Sequence, residues 1–326
     1  METGNRMNAD ILVSVVIPVY DVENYLKFTL NDVISQTYKN IEIIVIDDGS
    51  TDNSGLICDE FEGRDKRISV FHTQNKGLSA ARNKGIEVAR GQFIYFLDSD
   101  DRIHRRTIEI LLEIAKSCSA DIVQAGTFAF VDDSALPIDA DKNLQFIELE
   151  KKGMCEAMLN GKIAGATIIQ NKLYRRNLFN EINMRFPVGR IHEDVALGYK
   201  LYWKANKIIV LDNPLFYYRS KRKGSITHSP FSLARLDALI ACEERYIFFE
   251  NEGEKKLFAL ALMNWCENTE NCIKQLKKSN ICGKQEIIHG LEKKLESNYF
   301  RMIKLKEVKI KSKLRIGLGF IICKLA

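Results

Sequence analysis

Three carboxylates, Asp98, Asp100 and Asp101, come directly after the apolar run 93–97. A short run rich in aromatic residues is typical of a buried strand, and ligands of open α/β sheets bind just beyond the carboxyl ends of such strands. Asp98 and Asp100 are separated by one residue, so they can share a divalent cation and the polar groups of a nucleotide; oxygen ligands suit Mg²⁺ or Mn²⁺. The alternative is an acidic turn whose last aspartate caps the next helix.

Three other strand-like segments earlier in the chain also end in polar residues. They are 14–19, followed by Tyr20 and Asp21; 41–46, followed by 47–52; and 68–71, followed by 75–83. Helical patterns separate these segments, and strands that alternate with helices form a parallel sheet with right-handed crossovers. The sequence therefore predicts that polar residues from four strands gather at one edge of one sheet.

The ordered segments 15–20, 46–52, 75–83 and 96–101 closely resemble the motifs of the family-2 glycosyltransferases. The resemblance covers roughly residues 11 to 225, and the combination of motifs is specific although each motif alone is weak. It implies an inverting enzyme that uses a nucleotide-sugar. The implied fold is α/β of the GT-A type, with a Rossmann-like, mixed, mostly parallel sheet flanked by helices.

The chain beyond the sheet motifs is predicted to continue into a C-terminal helical extension. Helical periodicity covers 232–250, 254–278 and 284–305, with Gly253 and Gly283 as stops. Before it, we expect separate strands at 121–126 and 128–131. The predicted parts are a GT-A domain at 11–225 (nucleotide-sugar half 11–104, acceptor half 105–225), a helical extension at 226–300 and a basic amphipathic tail at 301–326.

The resemblance assigns roles in donor binding to residues of the strand ends. It implies that Asp100 is the metal ligand, with Mn²⁺ or Mg²⁺ as cofactor, and that Asp98 contacts ribose or a metal-bound water. The other donor-site residues that it implies are Pro18, Val19 and Tyr20 at the edge of uracil, Asp48 on uracil, and the backbone of Ser99 near the phosphates. Lys76 and Arg82 either reach uracil or phosphate or are only surface charges.

A second acidic pair, Glu193 and Asp194, opens a helical pattern at 195–205. Acidic residues at a helix N-terminus are favoured by the macrodipole, which is the structural interpretation. Inverting transfer also needs a base that takes the proton of the acceptor hydroxyl. The resemblance implies that Asp194 is this base and that Glu193 contacts the acceptor.

A basic segment, 219–228, follows the predicted strand 215–218. The resemblance implies that Arg219 and Ser225 contact the donor diphosphate, because their spacing matches the family. A charged loop of this kind closes water out of a site before transfer.

Composition fits this interpretation without proving it. The chain has 326 residues, 46% of them hydrophobic and 28% charged, and its eight cysteines form no C-x-x-C pair. We therefore expect a cytoplasmic protein without a zinc site, signal peptide or membrane span. The net charge of +5 is concentrated in 301–326, where basic and apolar residues alternate. This tail predicts peripheral contact with the inner face of the cell membrane, or packing on the domain or a partner; no nucleic acid partner is expected.

The function predicted from the sequence is metal-dependent transfer of a sugar from a UDP-sugar to a hydroxyl of a glycan or lipid-linked saccharide, in capsule, exopolysaccharide or O-antigen synthesis. The transferred group would be a hexosyl or N-acetylhexosaminyl group. The main alternative is a non-catalytic nucleotide-sugar-binding scaffold on the same fold. A nucleotidyltransferase is disfavoured, because the first strand ends in Pro18-Val19-Tyr20 instead of a glycine-rich basic loop.

Overall fold

The computed structural model describes residues 11–133, 136–137, 139–182, 184–220 and 231–325, with side chains as far as residue 319. These residues form two compact units. Unit 1 comprises the described residues up to Glu150, Ile169–Val188 and Lys204–Ser220. Unit 2 comprises Lys151–Ile168, Gly189–Trp203 and the described residues from 231 onward. The domain boundaries predicted from the sequence stay a prediction.

Within the described residues, nine strands of unit 1 form a single sheet. They are β1 (Val13–Val19), β2 (Ile41–Asp47), β3 (Ile68–His72), β4 (Phe93–Phe96), β5 (Arg102–Ile103), β6 (Ile122–Phe130), β7 (Phe146–Leu149), β8 (Lys172–Arg175) and β9 (Ile208–Arg219). Their order is β3-β2-β1-β4-β8-β6-β9-β5, and β7 pairs with β9. The first four strands are parallel, whereas β8 runs antiparallel to both β4 and β6.

The parallel half of the sheet is built as its sequence predicts. Every residue of β1 and β2 is buried, because a central parallel strand is covered on both faces and is therefore mostly apolar. The buried Ser14 hydroxyl donates to the Glu42 carboxylate at 2.6 Å. The helices of unit 1 are α1 (Leu26–Ile34), α2 (Ser54–Arg64), α3 (Leu78–Val88) and α4 (Thr107–Ser117). Gly85 brings α3 so close to β1 that a Cβ there would overlap the Val16 side chain.

One prediction for the sheet is wrong in detail. The segments 121–126 and 128–131 form the single strand β6, which runs through Gly126. The pairing with β9 shifts register at this glycine, and a Cβ at Gly126 would meet the Asp212 and Asn213 carbonyls. Gly126 therefore marks a β-bulge within one continuous strand and does not end the strand.

Unit 2 is helical. Its helices are α5 (Lys151–Leu159), α6 (Glu193–Lys204, whose last residue is grouped with unit 1), α7 (Asp237–Asn251), α8 (Lys255–Lys278), α9 (Lys284–Ile303) and α10 (Ile310–Leu325). Trp265 lies at the centre, 1% exposed. Gly253 and Gly283 have φ of 70° and 74°, a left-handed backbone that favours glycine and stops the helices.

The predicted class, α/β with a mixed sheet flanked by helices and a C-terminal helical extension, is confirmed. Among the residues that the structure describes, none of the helices is both long enough and apolar enough to pass through a bilayer.

Candidate active site

The buried carboxylate of Asp48 organises the loop that follows β3. The backbone N–H of Asp48 donates to the Val19 carbonyl at 2.9 Å, which ties the ends of β1 and β2 together. The carboxylate accepts the N–H of Lys76 at 3.0 Å, the N–H of Gly77 at 2.7 Å and the Thr73 hydroxyl at 3.2 Å. Asp48 thus fixes the backbone through which the chain enters α3, while the Lys76 side chain is exposed.

The end of β1 is tied to the loop after β2. Asp21 has a φ of 47°, a left-handed conformation that aspartate tolerates better than most residues. Its carboxylate accepts the Thr51 N–H at 2.7 Å. The preceding residue, Tyr20, is 46% exposed, whereas Pro18 and Val19 are buried. The β1 terminus therefore offers one aromatic side chain on a rigid backbone, which suits a flat base.

Arg82, Asp98 and Gln170 form a polar cluster at the end of β4. The fully buried Arg82 guanidinium donates to Asp98 Oδ1 at 2.7 Å and lies 5.4 Å from the centre of the Phe186 ring. The Gln170 amide donates to the other oxygen, Asp98 Oδ2. Both carboxylate oxygens are held, so Asp98 presents a fixed orientation. Arg82 is not a surface charge, and its contact with uracil or phosphate stays a prediction.

A hydroxyl from α1 shapes the turn that carries the carboxylates. The buried Thr29 hydroxyl lies 2.9 Å from the Ser99 carbonyl and 2.8 Å from the Asp101 carbonyl. The Asp101 N–H bonds back to the Asp98 carbonyl at 3.1 Å. These bonds close a tight turn in which Ser99 is buried and Asp100 half-buried.

Arg219, at the end of β9, holds the same turn from another strand. Its N–H donates to the Asp101 carboxylate at 2.8 Å, and its Nε donates to the Asp100 carbonyl at 2.9 Å. The guanidinium also makes two hydrogen bonds to Asp133, at 2.8 and 2.9 Å. Since Arg219 is only 7% exposed, it acts as a clamp on the turn. A contact with the diphosphate stays a prediction.

A second arginine, Arg102, extends this network. It pairs with both carboxylate oxygens of Asp32, at 2.6 and 2.8 Å, and reaches Asp133 at 2.7 Å. Two arginines therefore share Asp133, and they lower its pKa, with Arg219 as the largest cause. The turn formed by residues 98–101, here called the acidic turn, is held by groups from α1, β5, β9 and the segment after β6.

The turn accumulates negative charge. Burial raises the pKa of Asp101 well above its usual range, and the neighbouring charges of Asp100 and Asp98 raise it further. A divalent cation would relieve this repulsion. No group of three or more His, Cys, Asp or Glu side chains able to hold a metal occurs in the described ranges. Mg²⁺ is usually bound by one or two carboxylates together with substrate phosphates. The half-buried Asp100 fits this arrangement.

The predicted base lies in unit 2, at the N-terminus of α6. Glu193 and Asp194 occupy the first turn of this helix, and the Asp194 carboxylate accepts the Val195 N–H at 2.8 Å. His192, just before the helix, has a φ of 60°. Asp237 accepts the Ile191 N–H at 3.0 Å, so the entry to α6 is anchored to α7. Glu193 is 8% exposed and Asp194 is half-buried.

The structure brings most of the predicted donor residues together in unit 1. Asp48 and Lys76 are bonded, Arg82 is bonded to Asp98, and Ser99 and Asp100 share the turn that Arg219 holds. Ser225 and the rest of the predicted basic segment 219–228 beyond Ser220 lie outside the described residues. Sequence reasoning missed a set of supporting residues, namely Thr29, Asp32, Arg102, Asp133 and Gln170. None of them lies in a recognised motif. Thr29, Asp32, Asp133 and Gln170 are distant in sequence from residues 98–101, and Arg102, which directly follows Asp101, pairs with the distant Asp32 and Asp133.

A parallel half-sheet with acidic strand ends defines the class of open α/β proteins, whose ligands bind beyond the carboxyl ends of the strands. Within that class, the chain belongs to glycosyl transferase family 2, because the sequence model of this family matches residues 14–183.

Curated relatives carry the same assignment. "Glycosyltransferase GlyG" of Streptococcus pneumoniae serotype 4 is 38% identical over 236 residues, 68% of this chain and 75% of the relative. "Glycosyltransferase GlyA" of the same organism is 36% identical over 256 residues, 76% of this chain. The chain spans 36% of the length of GlyA, so it matches about a third of that relative.

A solved structure shares the fold. The structure of S. aureus TarS residues 1–349 in complex with UDP-GlcNAc superposes with a TM-score of 0.66 at 19% identity, and the match covers 95% of this chain and 92% of TarS 1–349. The same TarS segment has also been solved with UDP. The likeness confirms the GT-A architecture expected from the sequence.

Proposed function

We propose that this chain is an inverting, metal-dependent glycosyltransferase. It would transfer a hexosyl or N-acetylhexosaminyl group from a UDP-sugar to a hydroxyl of a glycan or lipid-linked saccharide, in cell-surface polysaccharide synthesis. One observation carries the proposal: Asp98 is fixed through both oxygens by Arg82 and Gln170, one residue away from the half-buried Asp100. Preorganised acidic groups of this kind suit a nucleotide and its counter-ion.

The donor end of the proposed site is unit 1. The backbone of Pro18 to Tyr20 and the Asp48 carboxylate would edge uracil, and Asp98 would accept hydrogen bonds from ribose hydroxyls. Uracil is favoured because TarS, which shares the fold, has been solved with UDP and with UDP-GlcNAc. The exposed Lys76 side chain is free to swing toward the diphosphate.

The cofactor of the proposed enzyme would be Mn²⁺ or Mg²⁺, which Asp100 would hold together with donor phosphates. Such an ion would supply positive charge against the negative charge of the leaving diphosphate. The protein itself fixes the acidic turn through Thr29 and Arg219. It therefore supplies a ligand that does not have to be reorganised when the donor binds.

The acceptor end of the proposed reaction depends on Asp194. A base removes the hydroxyl proton as the acceptor oxygen attacks the anomeric carbon, and a positioned carboxylate contributes about 10²- to 10⁴-fold to the rate. The α6 N-terminus favours the anionic form of Asp194, which is the form that accepts a proton. Glu193 would contact the acceptor, and the enzyme would act in the cytoplasm.

Calorimetric titration of UDP, GDP, CDP and dTDP, with and without Mn²⁺, tests the donor assignment without knowledge of the acceptor. We expect Mn²⁺-dependent binding of UDP alone, and its loss in Asp100→Ala. Asp139→Ala is the matched control, because the Asp139 side chain is 68% exposed and forms a surface pair with Lys142. Absence of nucleotide binding by the unmodified protein would exclude both the enzyme and the nucleotide-sugar-binding scaffold, whereas UDP binding without transfer would favour the scaffold.

A further inference from the structure

Helix α10 has one face that is locked into unit 2. Ile316 is 1% exposed, and α10 packs on α8 and α9. A Cβ at Gly317 would overlap the Tyr299 side chain of α9, and one at Gly319 would overlap the Glu270 carboxylate of α8. The two glycines therefore allow close approach on this side and fix which face of α10 points away from it.

The opposite face of α10 carries an exposed apolar row. Ile310, Leu314 and Leu318 are 75%, 67% and 60% exposed. Residues four apart lie one above the other on a helix, so these three side chains form a continuous aliphatic ridge. Because the buried face of α10 already contacts the unit, this ridge has no packing role within the part of unit 2 that the structure describes.

Exposed basic side chains flank the ridge along the chain. Lys304, Lys306, Lys309 and Lys311 are exposed, and the nearest acidic residue in the segment is Glu307. Two further basic groups are anchored: Arg315 pairs with Glu267 of α8, and Lys313 donates to the Ile303 carbonyl at 2.7 Å. The surface around the aliphatic ridge is therefore strongly positive.

We propose that this surface, the α10 ridge (Ile310, Leu314 and Leu318 with Lys304, Lys306, Lys309 and Lys311), docks on an anionic lipid bilayer. A helix lying in the interface buries an apolar face among acyl chains and directs basic residues at the headgroups. Three side chains are too few for a stable protein interface, which buries about 800 Å² per partner. An anionic bilayer binds a smaller apolar surface, because its negative charge also attracts the basic side chains.

The inference does not rest on the proposed transfer reaction, since binding to lipid needs neither donor nor acceptor. If both hold, the bilayer would bring the enzyme to lipid-linked acceptors. UDP titration in the absence of vesicles reports on the transferase site alone, so the failure of one proposal is distinguishable from the failure of the other.

Co-sedimentation of the full chain with vesicles tests the charge part of the proposal. We expect binding to vesicles that contain phosphatidylglycerol, little binding to pure phosphatidylcholine, and weakening as salt screens the charges. Each Lys→Gln change at Lys306, Lys309 or Lys311 should weaken partitioning about fivefold, which corresponds to ~1 kcal/mol per basic residue near an anionic surface. Equal binding to both kinds of vesicle would contradict the role of charge.

Variants of the ridge test the apolar part. Leu314→Gln and Leu318→Gln should each weaken binding about tenfold, because a leucine that is buried in the bilayer on binding is replaced by a polar side chain of similar length. Leu56→Gln on α2 is the matched control, since Leu56 is 69% exposed and lies in unit 1. Unchanged circular dichroism and UDP binding would show that the variants fold.

Two outcomes would overturn the proposal. One is full vesicle binding by the combined Leu314→Gln and Leu318→Gln variant. The other is no vesicle binding by the unmodified chain; self-association abolished by the same two changes would then assign the ridge to contact between copies.

Discussion

The guanidinium of Arg82 is fully buried, yet it pairs at 2.7 Å with a carboxylate, Asp98, whose side chain stays 23% exposed. One end of the ion pair is thus fixed inside the protein and the other reaches the surface at the end of β4. Removing one partner of a buried pair leaves an uncompensated charge. This relationship makes Arg82 a positioning residue for Asp98.

Replacing Arg82 by methionine should reduce the free energy of unfolding by about 3 kcal/mol, because Asp98 loses its charged partner. Arg64→Met is the control. Arg64 is 61% exposed in its pair with Glu60, and exposed pairs contribute only about 0–1 kcal/mol. Urea unfolding of both variants measures the difference. Equal losses would mean that the Arg82–Asp98 pair is no more important than a surface pair.

Gln170→Leu should weaken UDP binding about tenfold and also lower thermal stability. Its amide holds Asp98 Oδ2, and a hydrogen bond to a charged group contributes about 1.5–3 kcal/mol. Calorimetric titration gives the affinity, and a thermal melt gives the stability. A loss of stability without a change in affinity would show that Gln170 serves the fold and not the donor site.

Asp194→Asn should lower the rate of transfer at least about 100-fold, since the amide cannot take the acceptor proton. UDP affinity should stay the same, because the amide has the size of the carboxylate and the change removes only its ability to take a proton. Turnover with a UDP-sugar, followed as UDP release, provides the readout. Asp212→Asn on an exposed position of β9 is the control. Transfer that survives in Asp194→Asn would refute its assignment as base.

Gly85→Ala should destabilise the protein by about 1–3 kcal/mol, because the new methyl group would overlap Val16 of β1. Gly290→Ala is a contrasting control in the interior of α9, where a Cβ meets nothing within 4 Å. That change should stabilise by about 0.5–1 kcal/mol. Opposite shifts of the unfolding midpoint would confirm the close contact of α3 with the sheet, and a neutral Gly85→Ala would argue against it.

The free energy of unfolding should fall with rising pH because of the carboxyl group of Glu270 on α8. Burial raises the pKa of Glu270 from 4.5 to about 7, so between these values the folded state holds a proton that the unfolded state has lost. The free energy of unfolding therefore decreases from pH 4.5 to 7 and is then constant. Glu270→Gln removes this dependence, and the variant should be more stable than the unmodified protein by about 1–2 kcal/mol at pH 8. Thermal melts at pH 5 and pH 8 measure it; parallel curves for both proteins would contradict the raised pKa.

The strands of the parallel half and the acidic turn were predictable because their signals are local. An apolar run such as 93–96 followed by Asp98 and Asp100 encodes both a buried strand and its polar end within a few residues. The helices of unit 2 were predictable for the same reason, since Gly253 and Gly283 mark their ends.

The supporting residues were not predictable, because their partners are set by strand order. Gln170 reaches Asp98 only because β8 inserts beside β4, and Asp133 meets Arg219 only because β6 runs alongside β9. Neither pairing leaves a mark in the local sequence. The two faces of α10 were likewise hidden, since basic and apolar residues alternate along the tail without showing which of them pack.

The clamp of Arg219 on the acidic turn has a consequence for biosynthesis. Asp101 leaves the ribosome 118 residues before the arginine whose N–H it accepts. Until then the first four strands can pair among themselves, while the turn lacks the contact that fixes it. Contacts between residues so far apart in sequence form late, because the intervening chain must first be ordered. A nascent chain that ends before β9 would thus lack the contacts that fix the acidic turn, so premature termination there should leave the turn unformed.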